Sequence, residues 1–147
     1  MSYDGPRVPL TDGLRLDHIG IAVPDLEKAL GFWRDQLGAT VRGTETVESQ
    51  GVRVAFLATG DATTELLEPT RDDSPIAKFL SGGRGGIHHI TYEVEDIAEK
   101  LRELEAGGVP LIHKTPVPGS RGTQIAFLHP KGTGGVLVEL VQYAKDE

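Results

Sequence analysis

The sequence predicts an α+β fold: two tandem βαβββ modules whose strands form a cupped mixed sheet around a cleft. Three observations predict it. First, Leu16-Asp17-His18-Ile19-Gly20-Ile21-Ala22-Val23-Pro24-Asp25 is echoed by Ile87-His88-His89-Ile90-Thr91-Tyr92-Glu93-Val94-Glu95-Asp96, with His18 falling on His89 at an offset of 71 (89 − 18). Second, Ala55-Phe56-Leu57 falls on Ala126-Phe127-Leu128 at the same offset, and Glu65-Leu66-Leu67 falls on Glu139-Leu140-Val141 after a slightly longer turn. Third, each copy passes from an apolar strand pattern to a helical period and back. A duplication of this length means one supersecondary unit used twice, neither copy able to bury its apolar face alone.

The elements follow in order. Residues 1 to about 13 hold Gly5, Pro6, Pro9 and Gly13 without periodicity and read as a flexible arm. Leu16 to Val23 is a strand. Asp25 can cap an amphipathic helix from Leu26 to Leu37 that ends at Gly38. Val41 to Glu48, Val52 to Leu57 and Thr63 to Glu68 read as strands separated by Ser49-Gln50-Gly51 and by Gly60-Asp61, which completes module one at about 14–70. Pro75 just inside a capping Ser74 or Asp73 makes 73–81 a short linking helix, and Gly82-Gly83-Arg84-Gly85-Gly86 joins it to the second copy. Module two, about 86–143, repeats the order. A strand from His88 to Val94 precedes a helix from Asp96 to Ala106, and strands follow at Leu111 to Lys114, Thr123 to Leu128 and Val136 to Val141.

At 147 residues and 15.8 kDa, with 38% hydrophobic and 25% charged residues, the chain suits one domain spanning 14–147 with the two modules sharing a core. It contains no cysteine, which excludes disulfides, thiolate ligands and cysteine nucleophiles. A net charge of -7 and a pI near 5.2 argue against nucleic acid as a partner, because phosphate backbones need clustered Lys and Arg. The first residues carry neither a basic start nor an apolar core, and no apolar run is long enough to cross a bilayer, so a cytoplasmic protein is expected.

The repeat also selects the residues that can carry chemistry. Side chains alternate across a strand, so His18 shares a face with Gly20 and Ala22, away from the helix and toward the open side. In the second copy His89, Thr91 and Glu93 lie on the polar face, while His88 belongs with the packed set. Glu65 and Glu139 sit in otherwise apolar strands, where an acid is costly unless paired or ligated. Two imidazoles and two carboxylates at matched positions suit a divalent first-row metal such as Co, Mn, Ni, Zn or Fe, with positions left for substrate oxygens. Gln50, His113, His129 and Lys131 are further candidates; each is equally readable as turn or loop chemistry.

Asp17-His18-Ile19-Gly20-Ile21-Ala22-Val23, Gln50-Gly51-Val52, Glu65-Leu66-Leu67-Glu68-Pro69, Ser74-Pro75-Ile76-Ala77-Lys78-Phe79-Leu80, Gly86-Ile87-His88-His89-Ile90 and Phe127-Leu128-His129-Pro130-Lys131 through Val138-Glu139-Leu140 resemble the methylmalonyl-CoA epimerases. These belong to the vicinal oxygen chelate superfamily, which includes glyoxalases, bleomycin-resistance proteins and dioxygenases. The resemblance implies a metal held by His18, Glu65, His89 and Glu139, with Glu65 where some epimerases carry glutamine. It implies epimerisation of (R)- and (S)-methylmalonyl-CoA by proton abstraction at C2 through a metal-chelated enolate, with Glu139 as a catalytic base; Glu65, entering from the other module, is the candidate for the second base on the opposite face. It also implies a homodimer, and for such a substrate the amide of Gln50 and the cationic groups of His129 and Lys131 are the candidate contacts to the acyl-CoA. Several epimerases have a glutamate three residues after the glycine of Gln-Gly-Val; this chain has Val54 there. The alternatives within the superfamily are a glyoxalase I-type lactoylglutathione lyase and a non-catalytic drug binder.

Overall fold

The computed structural model describes residues 9, 10, 12–83 and 85–144, so the expected arm lies largely outside the described residues. The chain divides into two compact units, one of His18–His88 and one of His89 onward with the described residues up to Asp17. The α+β class is borne out.

In the first unit, β1 (Arg15–Ala22) leads into α1 (Leu26–Leu30), followed by β2 (Thr40–Val47), β3 (Val52–Thr59), β4 (Ala62–Pro69) and α2 (Pro75–Leu80). The strands lie in the order β2-β3-β4-β1, antiparallel except that β1 runs parallel to β4. The Asp25 side chain accepts the Lys28 N–H at 3.1 Å, so the expected cap forms. The Glu68 carboxylate takes the Leu26 N–H at 2.8 Å, a second device for the exposed amides of this helix start. Leu26 and Leu30 bury the helix against Ala55, Leu57 and Leu66. The expected single helix to Leu37 is corrected: from Gly31 to Gln36 the turns widen, and the Leu37 N–H reaches back five residues to the Phe32 carbonyl. Gly31, a poor helix former, stands where the widening begins. Ser74, not Asp73, caps α2, accepting the Ile76 N–H.

In the second unit, β5 (Gly86–Glu93) is followed by α3 (Ile97–Ala106), β6 (Val117–Pro118), β7 (Gln124–Leu128) and β8 (Val138–Gln142), in the order β5-β8-β7-β6 with β5 parallel to β8. Asp96 accepts the Glu99 N–H at 3.0 Å, and the Gln142 side chain takes the Ile97 N–H at 2.9 Å. The duplication thus extends to both helix-start devices. Ile97 and Leu101 pack on Ala126, Leu128 and Leu140.

The strand expected at Leu111 to Lys114 is overturned. Leu111 makes only an isolated bridge to Leu128, and the edge strand is β6 instead. The His113 imidazole Nδ1 accepts the Phe127 N–H at 2.9 Å, a donor that a ladder would send to a backbone carbonyl. β8 begins at Val138 rather than Val136, after Gly134 and Gly135 in left-handed conformations.

Candidate metal centre

The two parallel strand pairs carry the candidate ligands in one pattern. β1 and β4 pair Gly20 with Glu65, and β5 and β8 pair Thr91 with Glu139. His18 and His89 each lie two residues upstream of the paired residue, so each histidine faces its glutamate diagonally across adjacent strands on the same side of the sheet. In the first unit His18 Nδ1 is 3.2 Å from Glu65 Oε2. In the second His89 Nε2 is 3.3 Å from Glu139 Oε1.

All four residues are buried, at 5% exposure for His18, 4% for Glu65, 6% for His89 and 5% for Glu139. The expectation that His18 faces an open side is corrected. Ala22, Val54, Phe56 and Leu67 on that face form an apolar cluster with Val47, Val52 and Ile76 of α2. Burial raises the cost of a bare carboxylate and the strength of any charge-assisted partner. The spacing suits a metal as well as a hydrogen bond: two donors bound at about 2.1 Å to a shared ion lie about 3.0 to 3.4 Å apart between octahedral and tetrahedral angles. An N and an O donor at this spacing in each unit fit a divalent first-row ion.

The environments of the two pairs differ. Thr91, fully buried, donates its hydroxyl to Glu139 Oε1 at 2.6 Å. The matching residue in the first unit is Gly20, which has no hydroxyl to offer. Phe127 stands edge-on to the His89 ring, 5.6 Å between centroids, and the His113 ring lies tilted to the same residue at 5.8 Å. Sequence reasoning put Thr91 on the polar face and missed its hydrogen bond; the signal was the match of Thr91 to Gly20 in the repeat.

The other candidates lie apart from these pairs. Gln50 ends a short turn after β2, where its carbonyl receives the Ser74 hydroxyl at 3.5 Å and Gly51 adopts φ 63°. A Cβ on Gly51 would sit 3.0 Å from the Arg71 guanidinium carbon, so glycine there lets the turn close. His129 is exposed and its Nδ1 accepts the Lys131 N–H at 3.2 Å, which caps the turn Pro130–Gly132; Lys131 is exposed. His88 packs edge-on against Phe79, 5.1 Å between centroids. Val54 is 2% exposed within its apolar cluster, so the position where several epimerases carry an acid is occupied here by core.

A family model described as the Glyoxalase/Bleomycin resistance protein/Dioxygenase superfamily matches residues 17–127. The chain belongs to this superfamily. It is 48% identical over 130 residues to the ethylmalonyl-CoA/methylmalonyl-CoA epimerase of Cereibacter sphaeroides, covering 87% of this chain and 97% of that one. With the mitochondrial methylmalonyl-CoA epimerase of Homo sapiens it shares 44% over 129 residues, covering 87% of this chain and 73% of the human protein. Among solved structures, a variant of Streptomyces coelicolor methylmalonyl-CoA epimerase in complex with 2-nitronate-propionyl-CoA superposes with a TM-score of 0.85 at 41% identity, covering 90% of this chain and 96% of that one.

Proposed function

We propose that this protein epimerises (R)- and (S)-methylmalonyl-CoA. The observation that carries the reading is the buried, duplicated His–Glu pair in a chain 48% identical to a named epimerase over nearly all of that protein's length. The reading takes residues 14–147 as one domain, with His18, Glu65, His89 and Glu139 as ligands of one divalent metal of the Co, Mn, Ni, Zn or Fe class. When bound, that ion supplies positive charge where negative charge develops on the thioester and carboxylate oxygens of the substrate.

The remaining work falls to the chain. The C2 proton is acidic because it lies between a thioester and a carboxylate, and inversion requires its removal from one face and return to the other. Glu65 and Glu139, from different modules, are the proposed bases, each brought to its task by burial and by its histidine. The apolar setting of Val54 supports this pairing, since no acid stands at that position. Gln50, His129 and Lys131 are the proposed contacts to the acyl-CoA, with Lys131 suited to its phosphates. The protein is further proposed to act as a cytoplasmic homodimer: no described helix is long and apolar enough to cross a membrane, and closed two-fold dimers are the commonest assembly. Light scattering at micromolar concentration should give twice the chain mass.

The decisive experiment is solvent exchange. Deuterium from D2O should enter C2 of methylmalonyl-CoA in the presence of the protein and Co or Mn, and exchange no faster than background would sink the reading. Parallel assays on ethylmalonyl-CoA would define the acyl range, and turnover of methylglyoxal with glutathione would move the assignment to the lactoylglutathione lyase class.

Glu65→Gln divides ligand from base. If Glu65 only holds the metal, the amide oxygen substitutes and kcat at saturating metal should fall by less than about tenfold. If Glu65 also moves the proton, the fall should reach about 10² to 10⁴-fold. Single-turnover exchange with each enantiomer separates the two cases.

A further inference from the structure

We propose that Thr91 is a positioning residue for Glu139, fixing the plane of its carboxylate for metal coordination and for transfer of the substrate proton. The inference rests on the epimerase reading above for the identity of that proton, though not for the metal. Thr91 is fully buried, lies directly opposite Glu139 in the β5–β8 register, and donates its hydroxyl to Oε1 at 2.6 Å. The same Oε1 is 3.3 Å from His89 Nε2. Thr91 therefore ties Oε1 to β5, and the carboxylate plane cannot turn about its last torsion without breaking that bond.

The choice of threonine has a physical basis. A β-branched side chain in a strand has few χ1 options, so its hydroxyl is held in place by the backbone rather than by packing. A hydroxyl donating to a carboxylate makes a charge-assisted bond, shorter and about twice as strong as a neutral one. Ordinary satisfaction of a buried acid needs a donor but no particular direction. Here the donor adds direction, because the Thr91 hydroxyl is fixed on β5 directly opposite Glu139 and meets Oε1 at 2.6 Å. Partners that orient a metal ligand in this manner alter affinity by about 10 to 100-fold when removed.

Two variants separate orientation from bulk. Thr91→Val keeps shape and β-branching and loses the donor; Thr91→Ser keeps the donor and loses a methyl group. Calorimetric titration of metal-stripped protein with Co2+ reads the ligand geometry without substrate, and kcat and KM at saturating Co2+ read the proton transfer. For Thr91→Val the metal affinity should fall about tenfold and kcat about tenfold with KM unchanged, while Thr91→Ser should stay within about threefold of wild type on both. Circular dichroism and thermal unfolding establish that each variant is folded, and if Thr91→Val fails to fold, Thr91→Ala replaces it. Wild-type affinity and kcat in the valine variant would overturn the proposal, as would a serine variant as impaired as the valine one. If the order of metal affinities holds while no form exchanges the C2 proton, the positioning role is upheld for the metal and the epimerase reading alone fails.

Discussion

Glu139→Gln is expected to fold like the wild type, bind divalent metal more weakly, and lose epimerisation by about 10² to 10⁴-fold even at saturating metal. The amide keeps the size of the side chain, and its oxygen can still accept the Thr91 hydroxyl that now reaches Oε1 at 2.6 Å. What it removes is the charge beside His89 and the basicity needed to take a proton. Within β8 no other acid lies within two residues of it: Val138, Leu140 and Val141 flank it, and the residues opposite are Thr91 in β5 and Phe127 in β7. Metal titration of the apoprotein reads the first loss and C2 exchange at saturating metal the second. Turnover near wild type under those conditions would refute Glu139 as a base.

The parts of the fold that sequence made legible are those governed by local chemistry and repeated in register. Asp25 and Asp96 are short acids just before amphipathic runs, and both cap as expected. His18 with Glu65 and His89 with Glu139 were recognisable because acids in apolar strands need partners, and the repeat supplied a matched histidine for each. Where local pattern gave way, a side chain had taken over a backbone role. His113 captures the Phe127 amide and with it the strand expected at Leu111 to Lys114. Glu68 and Gln142 reach helix starts 42 and 45 residues away in sequence, a separation at which no window pattern speaks. Their only trace was an acid or amide three residues after each strand glutamate. The loop before β7 was least legible of all: Arg121 has φ 55°, the one non-glycine residue with positive φ among the described residues, and its side chain is held by groups far along the chain.

That loop carries the largest stability effect expected outside the two buried His–Glu pairs. Arg121 donates to the Tyr143 hydroxyl at 2.8 Å and lies 5.4 Å from the centre of that ring, and the hydroxyl in turn donates to Asp17 Oδ1 at 2.7 Å. The guanidinium is also 3.8 Å from Asp17 Oδ2, with side chains only 10% and 7% exposed. A charge buried this far is tolerable because its counter-charge is buried with it, so deleting one partner costs more than the pair contributes. Arg121→Met keeps much of the volume, leaves the Asp17 carboxylate without the guanidinium, and should destabilise the fold by about 3 to 5 kcal/mol. For a chain of this size that lowers Tm by about 10 °C or more. Asp17→Asn on its own strands the arginine and should cost a similar amount, whereas the double variant removes both charges and should recover a large part of the loss. Urea unfolding of the four proteins gives the coupling directly. Additive losses in the double variant would show that the two charges do not depend on one another, and the stability of this corner would then have to come from the Tyr143 bridge alone.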